Sequence, residues 1–239
     1  MKRPTPFAAY EPDKGVASGT GQIARGVLTS AGRYVPLQGL EAYRSGSALN
    51  DYCLGAASFY DSSGAPTVFC GDTARLYRVV ARVITDVSKS GGYAADPDWQ
   101  WSFEQFGDNV MAAARGVTLQ RYQLGTSSVF ADVTGAPTAE VIFRIRSHMF
   151  ACSGRAVNWS AFNDITSWAP SNETQAGNTT IGQDAGIIVA GIGGEQGAIF
   201  QERGIIRVGY QGGDIPFALD EVEGGRGACS PRSVARWGR

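Results

Sequence analysis

Between Asp184 and Glu223 four short β-patterns follow one another with turn chemistry between them, and no other stretch limits the fold so tightly. Residues 187–192 are apolar on both faces, a pattern that suits a strand covered on both sides. The run breaks at Gly193 and Gly194. Residues 198–203 grow polar along their length and meet Gly204, which predicts a direct turn into a third strand. In that strand Ile206, Val208 and Tyr210 point one way while Ile205 and Arg207 point the other, and after residues 211–214 a fourth run alternates Ile215, Phe217 and Leu219. Four antiparallel strands in about forty residues form one sheet unit, the size of a propeller blade.

Looser copies of this unit precede it. The first has strand patterns at 57–60, 67–70 and 76–79, with turns at 61–64 and at Gly71-Asp72. The second runs through 99–106, turns at 107–109 and continues at 110–113, with 119–124 and 129–133 as outer strands. The third has 141–145, 149–152 and 156–159, and no clear outer strand; the polar residues 171–178 read as a surface loop. Aligning the last apolar residue of each entering strand picks out Phe59, Phe106, Ile145, Ile192 and Trp237, separated by 47, 39, 47 and 45 residues. The expected fold is therefore all-β: a β-propeller over residues 51–239, with about four blades and the start of a fifth, partial or small. An N-terminal arm of short irregular strands, rich in Gly, Pro, Ser and Ala, is expected over 1–50. A non-repeating sandwich is the alternative architecture. The lone strand pattern at 233–238 needs a partner, either the arm, another chain or further blades.

Composition narrows the function classes. With 239 residues and 43% hydrophobic content the chain can bury a real core, and 32 glycines fit many tight turns better than helices. A net charge of −1 gives no broad phosphate-gripping surface. Arginine outnumbers lysine eighteen to three, a bias suited to planar ion pairs at protein contacts and equally to a GC-rich genome. Cys53, Cys70, Cys152 and Cys229 lie far apart and His148 is the single histidine, so a zinc site is not expected. Three of the cysteines sit in or beside strand patterns, as reduced thiols in a reducing cytoplasm would. No apolar run reaches membrane-spanning length, and the basic N-terminus lacks the apolar segment of a secretory signal.

Each motif with chemical promise has a plainer reading. The glycine-rich run 191–197 follows a strand but misplaces its third glycine and leads into another strand pattern where a phosphate site needs a helix, so it reads as a β-turn. Residues 163–168, with Asp164 and Trp168, resemble an Asp-box and read as an Asx-type turn pinned by Trp159 and Trp168. Asp220, Glu221 and Glu223 contain the carboxylate pair a glycosidase needs, yet alternate residues on a solvated or intersubunit edge do so by chance. His148 reads as a turn histidine without a nucleophile partner. The Asn-x-Ser/Thr sequences at Asn158, Asn172 and Asn178 are expected by chance. Trp99, Trp101 and Trp168, as exposed aromatics, would serve a glycan-binding propeller; a propeller glycoside hydrolase would have to use Asp164 and Glu221.

Three phrases, WSFEQFGDNV at 101–110, VNWSAFNDITSW at 157–168 and GIGGEQGAIFQER at 191–203, resemble the tail accessory or stabilisation proteins of short-tailed bacteriophages, which form the tail nozzle below the portal and adaptor. The similarity covers roughly residues 57–237 of a family whose members are longer. It implies a non-enzymatic propeller subunit of the virion tail, assembled in the host cytoplasm. It also implies a ring of six around a DNA exit channel and contacts to adaptor, fibre or needle proteins. No catalytic, cofactor-binding or metal-binding residue carries over. Near-neutral charge suits a conduit, because each phosphate gripped by a cation would slow DNA passage.

Overall fold

The computed structural model describes residues 27–30, 33–36 and 48–235. The chain divides into two compact units, Met1–Tyr43 and Arg44–Arg239. In the first, β1 (Val27–Ser30) and β2 (Arg33–Pro36) form an antiparallel hairpin in which Val27 pairs with Pro36 and Ser30 with Arg33. The remainder of the expected arm up to residue 47, and the fifth marker Trp237, lie outside the described residues.

The second unit is all-β, with four antiparallel sheets of four strands each, every sheet built from strands consecutive in sequence. The first sheet is β3 (Gly55–Tyr60), β4 (Pro66–Gly71), β5 (Leu76–Val80) and β6 (Val83–Asp86). The second is β7 (Ser102–Phe106), β8 (Asn109–Ala113), β9 (Gln120–Gln123) and β10 (Ala131–Asp132). The third is β11 (Val141–Ile145), β12 (His148–Ser153), β13 (Ala156–Trp159) and β14 (Gly177–Thr180). The fourth is β15 (Ile188–Ile192), β16 (Gly197–Gln201), β17 (Gly204–Tyr210) and β18 (Phe217–Gly224). Phe59, Phe106, Ile145 and Ile192 all fall on the first strand of their sheet, so the near-period marks equivalent places in four repeated units.

Two outer strands and one boundary differ from the sequence reading. β6 was not visible because the turn before it, Ala81-Arg82, takes positive φ at both residues without the Asn or Gly that usually announces such a hairpin. The loop expected over 171–178 ends early: Gly177 and Asn178 belong to β14, opposite Trp159 and Asn158. Ile215 is 73% exposed in the turn ahead of β18, where alternation begins at Phe217.

Period-2 alternation builds three cores, one in each gap between successive sheets. Val110, Ala112 and Tyr122 of the second sheet meet Phe59, Phe69 and Leu76 of the first, with Trp101 and Phe130 closing the cluster. From the opposite face of the second sheet, Met111 and Ala113 meet Ile142, Met149 and Ala151 of the third. The third sheet then turns Phe143, Ile145, Phe150 and Val157 toward Ile199, Ile206, Val208 and Phe217 of the fourth. The second and third sheets are thus buried on both faces, which is why residues 110–113, 141–143 and 149–152 read as continuous apolar runs.

The first strands lie side by side, β7 beside both β3 and β11, and β11 beside β15. Polar clips fix the spacing. Gln105 Nε2 donates to the Tyr60 carbonyl at 2.7 Å, and the Ser102 hydroxyl accepts from the Ile142 amide at 3.1 Å. Between β11 and β15 the approach is closer still: the Arg146 amide donates to the Gly194 carbonyl at 2.8 Å, and Ile145 bridges Gly194 in parallel. A Cβ on Gly191 would stand 2.2 Å from the Phe143 ring, and one on Gly193 would stand 1.9 Å from the Arg144 carbonyl oxygen. The glycine-rich run is therefore a strand-to-strand connection whose missing side chains let two sheets touch.

Candidate functional site

The first strands of all four sheets border one cavity of about 360 Å³, reached by Ala57, Trp101, Glu104, Ile142 and Ile192. Its lining includes the polar residues Gln100 and Ser102, and Glu104 is the one carboxylate among its lining residues. A wider recess of about 1050 Å³ shares Ile192 and Gly193 with it and brings in Arg144, Arg146 and Glu195. Arg146 pairs there with Glu195 at 3.2 Å and lies over the Tyr210 ring at 4.8 Å.

A second place lies where the second and third sheets splay apart. Two adjoining recesses of about 410 and 420 Å³ share Arg121 and Thr166. Arg121, on β9, donates through Nε to Asn109 Oδ1 at 2.7 Å and through Nη2 to Gln123 Oε1 at 3.3 Å. Across the opening, Asp164 closes the expected Asx-type turn by accepting from the Thr166 amide at 2.8 Å and hydroxyl at 2.7 Å. The Thr166 hydroxyl, then the turn amides and the charge of Arg121, hold the Asp164 carboxyl below its ordinary range. Asp132, in the adjoining recess, is likewise held low, first by Lys89 at 2.7 Å and then by Gln120. Sequence reasoning found Asp164 and missed Arg121, because Arg121 gains its setting only when β9 meets a loop of the next sheet.

The tryptophans depart from the expectation of exposed aromatics. Trp101 is 3% and Trp168 7% exposed, each committed to a core and to one carbonyl: Trp101 Nε1 donates to Asp72 at 2.8 Å, and Trp168 Nε1 to Ile165 at 2.8 Å. Trp101 fits because Gly55 and Gly71 lie against it. Trp159 packs over Gly177, away from the Asx turn, and bonds the Gln175 carbonyl, so Trp168 alone pins that turn. Trp99 is half-buried beneath the Arg115 guanidinium, which lies 3.8 Å from its ring. None of the three offers the open platform the sequence suggested.

His148 is not in a turn. It opens β12, is fully buried, and donates from Nδ1 to the Ser160 carbonyl at 2.8 Å, with Phe162, Tyr210 and Phe217 around the ring. Burial pushes its pKa down. The carboxylates of β18 sit on the outermost strand of the fourth sheet, where Asp220 pairs with Arg207 at 2.9 Å and a bulge near Ile205 and Ile206 sets Glu221 and Glu223 out of simple alternation. No disulfide joins the four cysteines; Cys70 and Cys152 are buried, whereas Cys53 and Cys229 are exposed and fill no core. Among the described residues no group of three His, Cys, Asp or Glu is placed to hold a metal, and no helix is long and apolar enough to cross a membrane. No protein-family model matches the chain, and no curated protein is significantly similar to it.

Proposed function

We propose that this chain is a structural subunit of a short-tailed phage tail, a propeller-like piece of the nozzle that works by assembly around the DNA exit channel. The observation that carries the reading is where the three phrases of resemblance fall. Residues 101–110 span β7 and the start of β8, 157–168 the end of β13 and the Asx turn, and 191–203 the β15–β16 hairpin that touches β11. These are the places where one sheet meets the next, so the phrases describe seams of a repeated architecture. Four sheets whose first strands border a common cavity support a propeller-like reading. A mechanical role also accords with side chains spent on packing and clips.

In this reading the outer face of the fourth sheet and its edge strand β18 meet neighbours in the ring, with adaptor and fibre or needle proteins above and below. Light scattering after size exclusion tests it, on the chain alone and mixed with candidate adaptor and tail proteins cloned from the same source. A ring of six 25.3 kDa copies has a mass of about 150 kDa. That mass, or a shift on mixing, is the expected result. A monomer indifferent to every tail component would refute the proposal.

A further inference from the structure

The cleft between the second and third sheets has the makings of a ligand site that the tail reading does not use. Arg121 is a half-buried cation with no carboxylate within 4 Å among the described residues, oriented instead by two neutral amide oxygens. An arginine has five N–H groups, and these two bonds engage two of them among the described residues. Asp164 faces the same recess as an acceptor, and its turn fixes it in place before any guest arrives. Asn109, whose Oδ1 accepts from Arg121 and whose Nδ2 donates to the Phe106 carbonyl at 3.3 Å, lines the recess with Thr166 and with the half-buried Phe106, which also packs against the core between the two sheets. The charges of Arg121 and Asp164 cancel, and Asp132 beyond them is neutralised by Lys89, so the cleft selects no strongly charged guest.

We propose that this cleft binds one neutral hexose unit of a polysaccharide, with the sugar ring on Phe106 and two adjacent hydroxyls bridging Arg121 and Asp164. A vicinal diol supplies a donor and an acceptor at neighbouring positions, which is what a separated guanidinium and carboxylate ask for. An apolar ring face against an aromatic edge, with a few fixed polar groups around it, is the usual composition of a small-molecule site.

The test is an array of bacterial polysaccharides probed with the full chain, together with saturation-transfer NMR using methyl α-mannopyranoside and methyl β-galactopyranoside. Wild type is expected to bind at least one of these, Arg121→Gln and Asp164→Asn to bind about tenfold more weakly, and Arg207→Ala, on the fourth sheet, to bind as wild type. Phe106→Leu supplies an independent variant should a polar change disturb folding, which thermal melting reports. No signal from any array polysaccharide or either glycoside overturns the proposal, as does binding that survives both Arg121→Gln and Phe106→Leu. Native mass reads the tail proposal separately, so failure of either reading leaves the other standing.

Discussion

Replacing Gly193 with alanine should weaken the protein by about 2–4 kcal/mol, although it adds only a methyl group. The added Cβ would stand 1.9 Å from the Arg144 carbonyl oxygen and 2.6 Å from its carbonyl carbon. A relaxed carbon-to-oxygen approach is about 3.3 Å, so the strands must part by roughly 1.4 Å. β11 cannot yield, because Ile142 is locked in one core and Phe143 and Ile145 in the next. The β15–β16 connection moves instead, and the Arg146–Gly194 hydrogen bond of 2.8 Å is lost with it. Overpacking costs about 1–3 kcal/mol and the lost bond about 1 kcal/mol. For a domain of this size each kcal/mol is worth about 2–4 °C, so the melting temperature should fall by roughly 5–15 °C. Gly209→Ala is the control: nothing lies within 4 Å of its Cβ, and its effect should be neutral or slightly stabilising. Urea unfolding followed by tryptophan fluorescence, with thermal circular dichroism, measures both. If Gly193→Ala melts within about 2 °C of Gly209→Ala, the inferred contact between β11 and β15 is wrong.

Two further outcomes follow from buried groups. The folded pKa of His148 is depressed below the ordinary 6.5, so the unfolded chain takes up a proton that the folded ring refuses; stability is full above pH 6.5 and declines as pH falls below it toward the folded pKa. Because the chain has one histidine, the urea midpoint should drop between pH 7.5 and 5.5 in wild type and much less in His148→Leu, and a flat wild-type profile would contradict the burial. Thiol titration with an aromatic disulfide should modify Cys53 and Cys229 quickly, while Cys70, its pKa raised first by a hydrogen bond with Cys53 and then by burial, and Cys152, raised by burial, react only after unfolding. Four thiols reacting together in the native protein would count against the structure.

What the sequence made legible was whatever short-range chemistry controls. Alternation in 205–210 and turn residues at 61–64, 71–72 and 193–194 placed strands of the first and fourth sheets, and the near-period found the first strand of all four. β14 escaped because Gly177, Asn178, Thr179 and Thr180 carry no apolar alternation, and their partner β13 lies across a long loop. The tryptophans were misjudged for a related reason. A Trp beside a turn says nothing of the glycine that will face it, and Gly55, Gly71 and Gly177 reach Trp101 and Trp159 only through pairing of distant segments. Arg121 and Asp164 belong to different sheets, so neither spacing nor motif could join them.

The burial of β8, β11 and β12 on both faces bears on how such a chain changes length over time. A unit placed between existing neighbours must match two cores at once, with small and large side chains correct on both faces. Among the described residues the first and fourth sheets share no buried cluster with each other, so a duplicated unit beside either one has a single core to satisfy. Gain and loss of repeats should therefore concentrate at the ends of the row, while the middle pair drifts only through paired, size-compensating substitutions.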